Sequence, residues 1–200
     1  QKEVAVAVLV LHGLATKLRK KRFESGAISF ERPEMKVEVD EKGRPINVYQ
    51  KITKEANWLI EEFMLLANRS VAEFVSVKCK KSFVYRVHDE PNQEKVEALR
   101  NFIGNFGYRM GPTTTGKEIS KELNSLFAAA KDTPEYNAIE LLSLRSMAKA
   151  RYDTENLGHY GLAFKYYTHF TSPIRRYPDM MVHRLLARYL AAGDNVKQES

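Results

Sequence analysis

From Lys54 to Val77 the chain runs without a glycine or a proline, and this segment constrains the fold more than any other. Such a run is expected to form one long helix. Projected at 100° per residue, Ile60, Phe63, Leu66, Ala67, Val71 and Phe74 share one broad face, the expected buried side. Glu55, Glu62, Arg69 and Glu73 make the opposite stripe, and Glu61 lies on the border with Asn57 and Asn68.

Around this helix the pattern changes repeatedly. Residues 4–22 read best as a helix with a basic last turn, Lys17 to Arg22, although the Val-rich start also fits a strand. Ala27–Phe30, Met35–Val39 and Ile46–Ile52 read as short strands, with Asp40 to Arg44 turning between the last two. Ser82–Val87 reads as another strand. Gln93–Asn105, Gly116–Ala130 and Pro134–Ala148 read as helices. A final helix is expected from Pro173 to about Ala192, with Ser172 as its capping residue and Pro173 in the first helical position. Its buried side would carry Ile174, Tyr177, Met181, Val182, Leu185 and Tyr189. The fold class is therefore helix-rich α+β with a small antiparallel β-sheet.

Composition narrows the function classes. Two hundred residues suffice for one domain with a substantial core. With 28% charged and 44% hydrophobic residues, the chain is neither disordered nor a membrane bundle. The longest apolar run, Val4 to Leu11, is far shorter than the roughly 20 residues a bilayer span needs. A single cysteine, Cys79, excludes a disulfide framework and fits a reducing cytoplasm. The net charge of +7 favours a polyanionic partner. Opening on Gln1 and closing on a polar tail, Gly193 to Ser200, the sequence reads as an excised piece of a larger protein.

The chemistry concentrates in residues 151–177, which hold seven of the 21 aromatics and lead into Tyr167-Thr-His-Phe-Thr-Ser-Pro-Ile-Arg-Arg-Tyr-Pro-Asp179. Arg175, Arg176, Asp179 and His183 share a polar arc of the expected last helix. Arg175 and Asp179 are four apart, so the carboxylate can hold the guanidinium. An arginine in the first turn of a helix is well placed to meet a phosphate, and the same spacing also fits a plain surface pair. Asp179 and His183 have the spacing of two metal ligands on a helix, but a helix-stabilising or arginine-orienting role asks less of them.

His159-Tyr-Gly-Leu162, Tyr167, Phe170-Thr-Ser-Pro-Ile-Arg-Arg-Tyr177, Asp179 and His183 together resemble the signature of the ribonuclease II/ribonuclease R (RNB) family, nearer its ribonuclease R branch. Leu18-Arg-Lys-Lys-Arg-Phe23, Gly26 to Phe30, Leu59 to Met64 and Tyr85 to His88 agree with it. The resemblance implies a hydrolytic, processive 3′-to-5′ exoribonuclease acting on single-stranded RNA and releasing nucleoside 5′-monophosphates. It implies that Arg175 lies near the scissile phosphate, that Phe30 closes a stack of bases, and that Glu61 meets the terminal ribose. Arg176 and Tyr167 are implied RNA contacts, with Ser172, Pro173, Tyr177, Asp179 and His183 as support. It also implies that residues 1–192 are the C-terminal portion of the catalytic domain, with 193–200 a linker toward an S1-type domain.

The family's Mg²⁺ is held by four clustered aspartates, whereas the six here (40, 89, 132, 153, 179, 194) are scattered. The resemblance therefore implies magnesium in the parent enzyme, with no ligand in this chain and an inactive isolated piece. The alternative is a non-catalytic single-stranded RNA-binding module. A domain cut through its middle exposes core surface, so self-association is a further expectation.

Overall fold

The computed structural model describes residues 2–30, 34–51 and 54–192. Its elements run α1 (Lys2–Glu24), β1 (Glu34–Val39), β2 (Pro45–Lys51), α2 (Glu55–Glu73), β3 (Tyr85–Val87), α3 (Gln93–Gly104), α4 (Gly116–Ala130), α5 (Tyr136–Ser146), β4 (Arg151–Asp153) and α6 (Tyr177–Ala192). The α+β class with small antiparallel pairing holds: β1 pairs with β2 and β3 with β4, as two separate two-stranded ladders. The expected turn at Asp40 closes the first ladder, where Asp40 Oδ1 accepts from the amides of Lys42 and Arg44 at 2.8 Å each. Ile52 and the 193–200 tail lie outside the described residues.

Two apolar cores organise the chain. Helices α3, α4 and α5 close around Val96, Leu99, Ile103, Ile119, Leu123, Phe127 and Ile139. Their starts are written locally: Asn92 accepts from the Lys95 amide at 3.2 Å, and Thr115 forms a reciprocal capping box with Glu118. The second core joins the end of α2 to β3 and α6 through Ala72, Val75, Phe83, Tyr85, Val87 and Val182.

Several expectations are corrected. Ala27–Phe30 has no regular secondary structure and belongs to neither ladder; the Asn124 side chain holds it instead, donating to Ala27 O at 2.9 Å and accepting from the Ser29 amide at 3.1 Å. The long helix does not bury its most apolar face. Glu62, Leu65, Asn68 and Ala72 are its buried residues, while Ile60 and Phe74 are exposed. The cause is the pairing of α1 with α2, where buried Arg22 meets buried Glu62 (Nη2–Oε1 2.5 Å, Nε–Oε1 3.2 Å) and turns that polar stripe inward. Past Glu73 the helix widens into a π-helical turn, Phe74–Cys79, and stops where Lys80 takes a left-handed conformation at φ 52°. Strand β4 has no counterpart in the sequence reading, being too short to show a period.

Helix α6 begins at Tyr177 rather than Pro173. Residues 173–175 form a separate turn, in which the Arg175 and Arg176 amides donate to Ser172 O at 3.3 and 3.2 Å. Pro178, not Pro173, occupies the first turn, where a missing amide hydrogen is harmless. Ile174, Tyr177 and Met181 are exposed; of the expected buried side only Val182 is fully covered, with Leu185 and Tyr189 packed at the edge of the core. The residues before Tyr177 thus leave the helix register, which removes the basis for projecting them onto its face.

Candidate nucleic-acid site

The aromatic segment ending at Arg176 is an irregular strap fixed from three sides. From β3 and the residue before it, the Arg86 amide donates to Tyr167 O at 2.9 Å, and Val84 O accepts from the Thr168 hydroxyl at 2.6 Å. From α2, Asn68 Oδ1 accepts from the amides of Phe170 and Thr171 at 2.9 and 3.2 Å, while its Nδ2 donates to the Tyr167 hydroxyl at 3.2 Å. From α6, the His183 ring stacks on Phe170 with centroids 4.1 Å apart, and Nε2 donates to Phe170 O at 2.8 Å. A run with no regular hydrogen-bond ladder of its own must satisfy its backbone this way or remain in water.

Asp179 is fully buried and works differently from the expected four-residue pair. Its Oδ1 accepts from the Ser172 amide at 2.7 Å and from Arg176 Nη2 at 2.8 Å. Arg176, not Arg175, is therefore its partner, and Asp179 lies beneath the surface instead of on an exposed arc. Ser172 lies five residues before α6 rather than at its start, and its Oγ accepts from Arg175 Nη2 at 3.4 Å. Arg175 is exposed and pairs with no carboxylate among the described residues. Pro173 shapes the turn below it, and exposed Tyr177 stands at the mouth of α6. Tyr167 is buried, flanked edge-on by His159 and His169 at 5.2 and 5.8 Å, so it serves the frame of the strap.

Glu61 and Phe30 sit elsewhere. Glu61 is half exposed and lies 3.4 Å from Arg22 Nη2 and 4.0 Å from Arg19 Nη1, so it is held by two guanidiniums rather than solvated freely. Arg19 in turn stacks over Trp58 at 4.7 Å. Phe30 packs on Phe127 at 5.4 Å beside the α3–α5 core. No hydrogen bond, ion pair or ring contact among the described residues joins Phe30, Glu61 and Arg175 to one another.

Beside the strap runs a ladder of rings: His88 on His159 at 5.0 Å, then Tyr167, then His169, then Tyr152 at 5.6 Å. The His88 Nδ1 accepts from the Gly161 amide at 3.1 Å, which leaves its Nε2 to donate to Ala148 O at 2.9 Å. Burial, reinforced by the neighbouring His88 and Arg86 charges, pushes His159 down to about 3. Burial also pushes His169 down to about 4, with the Arg176 charge adding to the effect. Both rings are neutral at pH 7. As for metals, no group of three or more His, Cys, Asp or Glu side chains converges among the described residues. Nor is any helix of the described residues long and apolar enough to cross a membrane.

Sequence reasoning missed Asn68 and Glu62. Glu62 lies on the expected polar stripe and Asn68 on its border, and nothing local marks either as buried. The fold around them is an established one: residues 1–192 match the RNB domain model, and the chain belongs to the RNB-domain family. Ribonuclease R of Aquifex aeolicus is 41% identical over 185 residues, covering 91% of this chain and 25% of that protein. The chain thus spans about a quarter of the length of the curated relatives it matches. A Mycoplasma genitalium RNase R solved with ribose-methylated single-stranded RNA superposes with a TM-score of 0.86 at 31% identity, covering 98% of this chain and 30% of that one. Yeast Ssd1, described as a pseudonuclease, superposes at 0.65 and 26% identity, covering 96% of this chain and 24% of that one.

Proposed function

We propose that this chain is the C-terminal portion of the catalytic domain of an exoribonuclease, with residues 193–200 leading toward an S1-type domain. The complete protein hydrolyses single-stranded RNA processively from its 3′ end in a reducing cytoplasm and releases nucleoside 5′-monophosphates. Arg175 faces the scissile phosphate, where a planar cation stabilises charge developing on the phosphoryl oxygens. Phe30 stacks the terminal base, and Glu61 accepts from the ribose 2′-hydroxyl, with Arg22 and Arg19 holding its carboxylate in place. Arg176 belongs to the same RNA-facing turn, while Tyr167, Ser172, Pro173, Tyr177, Asp179 and His183 shape its support. In the complete enzyme magnesium, held by carboxylates outside this chain, would supply water activation.

The observation that carries this reading is the exposed Arg175 on a strap pinned from β3, α2 and α6. A cation without a carboxylate partner on a rigid support suits a phosphate that arrives with substrate. The second reading, a module that grips single-stranded RNA without cutting it, draws on the likeness to the pseudonuclease Ssd1. One experiment separates them. In the complete protein with Mg²⁺ and a homopolymer RNA, Arg175→Ala should slow mononucleotide release by orders of magnitude while RNA affinity stays nearly unchanged. Equal losses in both would favour the binding module.

A further inference from the structure

Asp179 is fully buried four residues after Arg175. A carboxylate with no exposure needs partners for both oxygens, yet among the described residues Oδ2 has no hydrogen-bond partner, and neither have the buried Nε of Arg176 and Oγ1 of Thr171. A leucine or methionine there would fill space at less cost. What Asp179 supplies in return is specific: Oδ1 reaches past the helix start to the Ser172 amide and to Arg176 at once. Ser172 is the residue whose carbonyl closes the 173–175 turn and whose hydroxyl receives Arg175. Two residues upstream, Asn68 fixes the Phe170 and Thr171 amides from the far side of the strap. The backbone on the entry side of Arg175 is therefore clamped by two buried side chains, one on α6 and one on α2, neither of which touches the arginine.

We propose that Asp179 and Asn68 are positioning residues for Arg175, setting the orientation of its guanidinium through the 170–172 backbone and not through an ion pair. This rests on the reading of Arg175 given above. A guanidinium on a long, entropically free side chain contributes to a transition state only when its base is fixed; a loosened turn returns that freedom.

The test is a double-mutant cycle in the complete enzyme, reading kcat and RNA dissociation constant separately. Asp179→Ala should lower kcat about tenfold or more with RNA affinity within about twofold. Asp179→Asn, which still accepts from the Ser172 amide, should restore much of kcat. On the Arg175→Ala background, Asp179→Ala should cost less than about twofold further, because its effect passes through the missing arginine. Should Asp179→Ala fail to fold, Asn68→Ala carries the same expectations. Full additivity on the Arg175→Ala background, or loss of affinity in step with kcat, overturns the clamp while leaving Arg175 its role. If Arg175→Ala itself turns over normally, the reading of Arg175 fails and the clamp falls with it.

Discussion

Removing the Glu62 carboxylate should destabilise the chain by several kcal/mol, about 2–4. Arg22 and Glu62 are 6% and 3% exposed, and the carboxylate receives both Nε and Nη2 of the guanidinium. Glu62→Ala would leave a buried guanidinium with its nearer partner gone, a change that costs about 3–5 kcal/mol where nothing replaces the charge. Here Glu61 stays 3.4 Å from Arg22 Nη2. Being half exposed, it interacts through a high effective dielectric and recovers only about 1 kcal/mol. The expected loss is therefore about 2–4 kcal/mol. Equilibrium urea unfolding measures it, with fluorescence of the single tryptophan, Trp58, reporting on the contact between α1 and α2. Glu61→Ala in parallel should cost under about 1 kcal/mol. The double variant Arg22→Met/Glu62→Leu should regain most of the loss, because it removes both desolvated charges together. A Glu62→Ala loss below about 0.5 kcal/mol would refute the reasoning, since it would place the pair in effectively aqueous surroundings.

Other outcomes follow from the same geometry. With His159 held down to about 3 and His169 to about 4, the unfolded chain binds more protons than the folded one below the ordinary imidazole value near 6.5. Stability should thus be whole above pH 6.5 and fall as the pH drops from there toward 4, and His159→Gln should flatten that fall between pH 6.5 and 5; an unchanged slope would remove the ring ladder as its cause. The apolar residues Val6, Leu9 and Val10 of α1 are exposed, so the 200-residue chain should self-associate and Leu9→Lys should reduce it; a monodisperse wild type in sedimentation would contradict this. Supplied with Mg²⁺ and homopolymer RNA, the same chain should release no mononucleotide, and clear activity would reveal metal ligands among residues 1–200. In the complete enzyme Glu61→Ala should weaken discrimination against a 3′ deoxyribose, and unaltered discrimination would take that role from Glu61.

The sequence by itself determined those elements whose signals are local. The Asp40 turn and the starts of α3 at Gln93 and α4 at Gly116 are each placed from a few neighbouring residues, and the structure has them there. The motif from His159 to His183 likewise carried the family, because a fixed order of residue types survives without any knowledge of their contacts. Tertiary structure alone decided which way α2 faces, where α6 starts and which arginine meets Asp179. The first depends on groups brought from far along the chain, Arg22 to Glu62 and Asn68 to Phe170, and the other two on Asp179 reaching back seven residues to the Ser172 amide, out of helical register. Hydrophobic periodicity ranks faces by apolar area, and it misjudges a helix when a buried ion pair or an amide clasp outweighs that area. Helix projection assumes that residues 173–176 continue the register of α6. A buried carboxylate that captures the Ser172 amide ends that register before the helix begins, and leaves Arg175 facing solvent on a turn of its own.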